Sequence, residues 1–260
     1  KREEITAAFL EEAASPVDFE AKLDGLRRLK SQELFRVGLN DIAGALTPRQ
    51  VSGQITFLAE ASLEAALKTA EAELKERFGS PERGSFAILG LGKLGGKELI
   101  YGSDLDILFV YSDELEAKTT GPKVISGHEY FVKLGQRVIS VLTLRTREGI
   151  VFNVDARLRP SGSAGPLVVS QEALIKYHSS STQVWERQAL VRARAVAGDI
   201  RFGCAVVNKL EEILYNKPLT AEEAAEMLRI RKRMEVEIAK ENPSRYNIKA
   251  GKGGIVDIEF

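Results

Sequence analysis

The segment that most limits what this chain can fold into runs from Phe86 to Val110. An apolar run, Phe86-Ala-Ile-Leu89, leads directly into Gly90-Leu-Gly92-Lys93-Leu-Gly95-Gly96. Seven residues later comes Ser103-Asp104-Leu-Asp106-Ile107, which continues as Leu-Phe-Val110. Runs rich in Val, Ile and Phe bounded by glycine read as strands. Glycines let the backbone turn left-handed and approach a ligand closely, and their amides can cradle phosphate. Residues two apart in a strand share a side, so Asp104 and Asp106 stand together while Leu105 and Ile107 face the core. Two carboxylates that close repel and raise each other's proton affinity, and a divalent cation between them removes the conflict. Oxygen ligands of this kind suit Mg²⁺. Two blander readings stand beside this one: a tight structural turn, and an exposed edge strand with two solvated acids. The apolar continuation of the strand speaks against the edge.

A third piece lies downstream. Ile150-Val-Phe-Asn-Val154 reads as a strand and runs on into Asp155-Ala-Arg157-Leu-Arg159-Pro160. The same alternation puts Asp155, Arg157 and Arg159 on one face. An acid and two guanidiniums are costly to bury without partners. A triphosphate and a metal would serve, since arginine forks phosphate oxygens; an internal salt-bridge ladder is the alternative. Ser161-Gly-Ser-Ala-Gly165 follows as a loop that could close over the site.

The rest reads as helix. Thr47-Pro48 is a helix start, and apolar residues recur at helical spacing from there to Phe78, closed by Gly79-Ser-Pro81. A helix over about 127–142 separates the second strand from the third. Helices are also expected over 179–197 and, opened by the capping box Thr220-Ala-Glu-Glu223, to about Lys240, with Asn242-Pro243 ending it. The expected architecture is α+β: a small mixed sheet with helices, flanked by helical regions. Three zones follow: residues 1–80 helical, 81–170 the catalytic core, and 171–260 helical again. Lys plus Arg and Asp plus Glu both number 37, which argues against an all-over basic coat for nucleic acid and leaves room only for a local patch. No apolar stretch is long enough to span a membrane. The one cysteine, Cys204, fits a reducing, cytoplasmic setting. The start at Lys1 and the stop at Phe260 suggest a piece of a longer chain.

A glycine turn, a D-x-D strand and a third acid on a later strand suit two-metal nucleotidyl transfer, in which carboxylates hold two Mg²⁺ about 4 Å apart. A Rossmann oxidoreductase competes through the G-x-G-x-x-G string, but its ribose-binding acid belongs about twenty residues further on, not in a pair inside a strand. A non-catalytic interaction module is a third class.

The longer strings carry a resemblance. Gly92-Lys-Leu-Gly-Gly-Lys-Glu-Leu99, Tyr101-Gly-Ser-Asp-Leu-Asp106, Val154-Asp-Ala-Arg-Leu-Arg-Pro-Ser-Gly162, Trp185-Glu-Arg-Gln-Ala-Leu-Val-Arg-Ala-Arg194 and Gly253-Gly-Ile-Val-Asp-Ile-Glu-Phe260 resemble glutamine synthetase adenylyltransferase. This is a branch of the polymerase β-type nucleotidyltransferases. The resemblance implies a polymerase β-like core and one of two homologous catalytic halves: one attaches AMP from ATP to a glutamine synthetase tyrosine, the other removes it by phosphorolysis. Tyr101-Gly-Ser103, Ser161, Gln188-Ala-Leu-Val191 and Asp257 follow the attaching half; Arg187 and Pro166 lean to the removing half. Carried over by motif, Asp104, Asp106 and Asp155 are the metal ligands and catalytic acids. Gly92, Lys93, Gly95, Gly96 and Ser103 line the triphosphate, and Arg157 and Arg159 are candidate phosphate contacts, the second equally a brace. The implied cofactors are two Mg²⁺, with Mn²⁺ as a substitute, and ATP as substrate. The implied partners are glutamine synthetase and a nitrogen signal protein, without nucleic acid or membrane. Trp185 reads first as a core residue and second as an adenine stacker, His128 and His178 as incidental. Arg192 and Arg194, two apart on an expected helix, cannot both face a nucleotide.

Overall fold

The structure is a computed structural model that describes residues 2–112, 117–180, 182–242 and 244–260. Three helices open the chain: α1 (Arg2–Ala14), α2 (Phe19–Ile42) and α3 (Pro48–Phe78). The 31-residue α3 starts where expected. Thr47 Oγ1 accepts from the Gln50 amide at 3.3 Å, and Gln50 Oε1 accepts from the Thr47 amide at 2.8 Å. This capping box occupies amides that the first turn would otherwise leave open. The apolar stripe of α3, with Ile55, Leu58, Leu63 and Leu67 all buried, packs on one face of the sheet.

The sheet has five strands: β1 (Phe86–Gly90), β2 (Leu105–Tyr111), β3 (Val154–Asp155), β4 (Val168–Ser170) and β5 (Arg194–Gly198). Their order is β3-β2-β1-β5, with β4 also pairing on β2. β1 runs antiparallel to β2 and β5, whereas β3 and β4 run parallel to β2. The sheet is therefore mixed and the fold α+β, as the sequence implied. The antiparallel β1–β2 pair removes the oxidoreductase alternative, because a dinucleotide site needs a parallel βαβ unit after its glycines.

Alternation along the strands splits the core in two. Phe86, Ile88, Ile107 and Phe109 face α3 and α5 (Gly127–Thr143). Ala87, Leu89, Leu108 and Val110 face α6 (Gln171–Ser180) and α8 (Ile200–Asn216). With helices on both faces and strands on both sides, β1 is buried throughout. A buried arginine ties the N-terminal helices to this layer. Arg27, 0% exposed, donates to the carbonyls of Leu23 at 2.6 Å, Gly149 at 3.0 Å and Val141 at 3.2 Å, and to that of Leu144.

Two expectations change. The strand expected over 150–154 shrinks to Val154–Asp155, because the amides of Val151 and Phe152 both donate to the Leu142 carbonyl at the end of α5 and so leave the ladder. The helix expected over 179–197 is three elements: the end of α6, the short α7 (Val184–Leu190), and β5. Arg194-Ala-Val-Ala-Gly198 pairs with β1, and two carboxylates of α3 hold it there. Glu60 binds Arg194 at 2.5 Å, and Glu64 accepts from the Gly198 amide at 2.9 Å. Thus the third zone supplies a strand of the sheet. Beyond α8, α9 (Ala221–Arg233) begins at the Thr220–Glu223 capping box and continues as a π-helical stretch, Met234–Ala239, to a left-handed Lys240. The helix stops there rather than at Asn242; Pro243 lies outside the described residues. A last turn, α10 (Val256–Glu259), follows. Among the described residues, no helix is long and apolar enough to cross a membrane.

Candidate active site

The acids sit where β2 begins. Leu105 and Ile107 are fully buried on the α3 side of the sheet, so alternation turns Asp106 to the other side of the strand. Asp104, one residue before the strand, is exposed, and Asp106 is half-buried. Parallel pairing places Asp155 of β3 opposite Asp106. Burial, then the charges of Asp155 and Asp104, push the Asp106 carboxyl up to about 6. Lys249, far along the chain, and Arg157 lie close enough to pull it back in part. The three acids thus share one electrostatic neighbourhood. Lys249 is a member that no local spacing could have revealed.

Asp155 meets the opposite environment. Arg157 donates to it from its backbone amide at 2.9 Å, from Nε at 3.0 Å, and from Nη2 at 2.5 Å. These bonds hold its carboxyl below the usual range. Among the described residues, no three His, Cys, Asp or Glu side chains stand together as a ready metal cage. Asp155 is turned into the Arg157 fork. The donor set still suits a hard divalent cation: all-oxygen, multiply negative, and with one carboxyl whose charge is poorly compensated. Asp104 and Asp106 would hold such an ion, and Asp155 would join on exchanging Arg157 for it. Arg157 itself is 74% exposed on its side chain, and the side-chain hydrogen bonds it makes among the described residues all go to Asp155.

The glycine turn follows β1 as a single helical turn, α4 (Gly92–Gly95). Its members divide by role. Gly92 has φ +48°, and a Cβ there would lie 2.6 Å from Asp106 Oδ2. Its bareness lets the turn lie against the carboxylate. Gly95 is bare for packing instead, since a Cβ would lie 1.9 Å from the Arg192 carbonyl. The amides of Gly95 and Gly96 donate to the Leu91 and Gly92 carbonyls, so they are taken. Those of Gly92 and Lys93 make no hydrogen bond among the described residues. Ser103 Oγ accepts from the Ile100 amide at 3.0 Å and shapes the turn before Asp104.

Alternation does not carry past Asp155, where the chain leaves the ladder. Arg159 therefore does not share a strand face with Arg157. It donates to the carbonyls of Ala156, Ser163 and Gly165, at 2.6, 3.4 and 3.2 Å, and so braces the loop. Arg194 belongs to β5 and binds the carbonyls of Leu94 and Gly95, holding the glycine turn from behind. Arg192 bonds Glu98 at 2.7 Å beside Gly96. Both arginines therefore support the turn, a relation hidden while 179–197 is read as helix. Trp185 is a half-buried wall residue of an open cleft, not a core residue. His128 bonds Tyr111 and His178 bonds Thr182, away from the acids.

A family model for glutamate-ammonia ligase adenylyltransferase matches residues 1–209, a stretch that holds all five strands, the acids and the glycine turn.

Proposed function

The chain belongs to the glutamate-ammonia ligase (glutamine synthetase) adenylyltransferase family, nucleotidyltransferases that act on that enzyme, and we propose that it is a half that attaches AMP from ATP to a tyrosine hydroxyl. The observation that carries the reading is the pairing of Asp106 with Asp155 across β2 and β3, with Asp104 beside them and Gly92 against the carboxylate. Two Mg²⁺, or Mn²⁺ in their place, supply charge neutralisation at the triphosphate and a lowered pKa at the attacking hydroxyl. The protein's part is position. Asp104, Asp106 and Asp155 hold the metals. The free amides of Gly92 and Lys93, the exposed Arg157 and the ammonium of Lys249 surround the place where phosphate charge develops. The tyrosine hydroxyl releases its proton to solvent as its oxygen bonds to the α-phosphorus, the bond from that phosphorus to the bridging oxygen breaks, and pyrophosphate leaves with the electron pair. Gly95, Gly96 and Arg159 shape this site, and Ser103, whose Oγ only accepts from the Ile100 amide, keeps its hydroxyl proton for a phosphate oxygen. Its core is of the polymerase β type, capped by the helices before residue 80. By resemblance, the setting is cytoplasmic and a nitrogen signal protein governs the reaction.

The attaching direction rests on Tyr101-Gly-Ser103, Ser161, Gln188–Val191 and Asp257. Asp257 accepts from Arg231 at 2.6 Å and so anchors the segment that carries Lys249. The test is incubation with labelled ATP, Mg²⁺ and unmodified glutamine synthetase. Label on tyrosine is expected, and Asp104→Asn or Asp106→Asn should lower its rate by about 10³-fold or more. Release of ADP from adenylylated glutamine synthetase and phosphate, without the forward reaction, would assign the removing half instead. No reaction in either direction would leave an interaction module.

A further inference from the structure

A cleft of about 920 Å³ opens between α7, the α8–α9 connection, α9 and the residues Ile258–Phe260, and Gly92 stands on its edge. That volume is in the range of sites that enclose a small organic ligand. Gly92 is shared. One side of it lies against the Asp106 carboxylate, as the 2.6 Å approach of a built Cβ shows, and the other opens into the cleft. The cleft therefore begins where the acids end. In a nucleoside triphosphate the α-phosphate is the last group before the ribose, so an α-phosphate reacting at these acids puts its nucleoside next to Gly92.

The walls suit a flat aromatic ring. Leu158, three residues beyond Asp155, lines the cleft together with Trp185, Met227 and Ile230. The Trp185 indole N–H already donates to Gln183 Oε1 at 2.8 Å, so the ring needs no polar partner from a ligand. Among the polar groups of the lining, Arg187 is committed to the carbonyls of Leu214 and Lys217 and to Glu223. Arg192 is committed to Glu98. Gln188 is different: its amide makes no hydrogen bond among the described residues. A carboxamide offers one donor and one acceptor side by side, the pattern that pairs with the edge of adenine.

We propose that this cleft is the nucleoside subsite, with the purine packed on Trp185 and Met227 and with Gln188 reading its edge. The proposal rests on the nucleotidyl-transfer reading and assigns the residues that choose the base.

Trp185 is the single tryptophan of the chain, so emission excited selectively at tryptophan, past the absorption of the tyrosines, reports this wall. The probes are Mg²⁺-ATP, Mg²⁺-GTP and Mg²⁺-tripolyphosphate, which has the phosphates and no nucleoside. Mg²⁺-ATP should quench or shift the emission; tripolyphosphate should compete with ATP and leave the emission unchanged. Gln188→Leu should weaken ATP about tenfold and bring ATP and GTP within a few fold of each other. Ala189→Phe, which fills the cleft from α7, should weaken ATP more than tenfold; Met227→Phe does the same from α9 if the first variant melts early. Tripolyphosphate affinity should stay within twofold in all three. If tripolyphosphate and ATP both bind while the emission is silent and the three variants bind ATP as the parent does, the nucleoside lies elsewhere and the inference is overturned with the reaction intact. If neither ligand binds the parent, the nucleotidyl-transfer reading falls, and the subsite with it.

Discussion

Replacing Gly92 with alanine adds one methyl group at the closest approach between the glycine turn and the acids. Two costs can be separated. With φ at +48°, an alanine there sits in the left-handed region, at about 1–2 kcal/mol. The methyl carbon would also lie 2.6 Å from Asp106 Oδ2, against an ordinary contact of 3.4 Å, so the carboxylate must retreat by roughly 0.8 Å. A side-chain oxygen on a short stem can make that movement, so the fold survives. At about 2–4 °C per kcal/mol for a chain of this size, the melting temperature should fall by about 2–8 °C. The chemistry should suffer more, because misplacing a reacting group by about 1 Å costs on the order of 10²-fold. Gly95→Ala is the control. Its methyl group would meet backbone oxygens, Arg192 at 1.9 Å and Gly90 at 2.7 Å, which can move only with the strand and turn that carry them. That variant should melt earlier than Gly92→Ala. The assay is label transfer to glutamine synthetase at a temperature where both variants are folded, beside thermal melts followed by circular dichroism. Gly92→Ala with kcat/KM within twofold of the parent, or melting as early as Gly95→Ala, would refute the assignment of Gly92 to the acids.

Three further outcomes are expected. Arg27→Met leaves the carbonyls of Val141 and Leu144 without the guanidinium donor, at about 1–3 kcal/mol for each that stays dry, while the Gly149 carbonyl keeps the Thr146 amide at 2.9 Å. Methionine packing offsets part of this, so a net loss of about 3 kcal/mol should show as a melting point lowered by roughly 6–12 °C. The second concerns pH. Thr182 Oγ1 donates to the Tyr177 carbonyl and so accepts from His178 Nδ1, which leaves His178 Nε2 unprotonated, buried and without a hydrogen-bond partner among the described residues. Burial pushes this ring down from 6.5 to about 4. The folded state binds the proton less readily than the unfolded state, so stability is full above about pH 6.5 and declines as pH falls toward 4, by about 3 kcal/mol in all. Urea melts at pH 7 and pH 4.5 should show this loss in the parent and much less of it in His178→Phe. Third, Thr47→Ala removes the cap of α3 and should cost about 1 kcal/mol in the same urea melts without changing AMP transfer; an unchanged midpoint would mean that water replaces the hydroxyl.

Local chemistry made much of this structure legible. The cap at Thr47, the period of α3, the burial of Leu105 and Ile107, and the facing of Asp106 all follow from spacing within a few residues. What stayed hidden was decided by partners far away. Val151 and Phe152 have a strand's composition, yet their amides bond the end of α5. Arg194–Gly198 sits inside a helix-like, charge-rich stretch, and only the open edge of β1 and the carboxylates of α3 make it a strand. Arg159 follows the alternation of Asp155 and Arg157 on paper, but the chain has already left the ladder. Lys249 reaches the acids from a segment fixed by Arg231, whose guanidinium donates to the Ala250 and Gly251 carbonyls and to Asp257. The family strings point to all three acids at once, whereas alternation cannot say which two strands will be neighbours.

β3 is only two residues long, and its pairing with β2 sets Asp155 opposite Asp106. A one-step slip would present Val154 or Ala156 in its place. The stretch from the end of α5 to Asn153, whose carbonyl accepts the Leu105 amide at 2.9 Å, therefore works as a ruler. Single-residue insertions before Asp155 should silence the enzyme even where the surface could absorb them. Insertions in the 161–165 loop should be tolerated far better, so natural length variation ought to accumulate on that side alone.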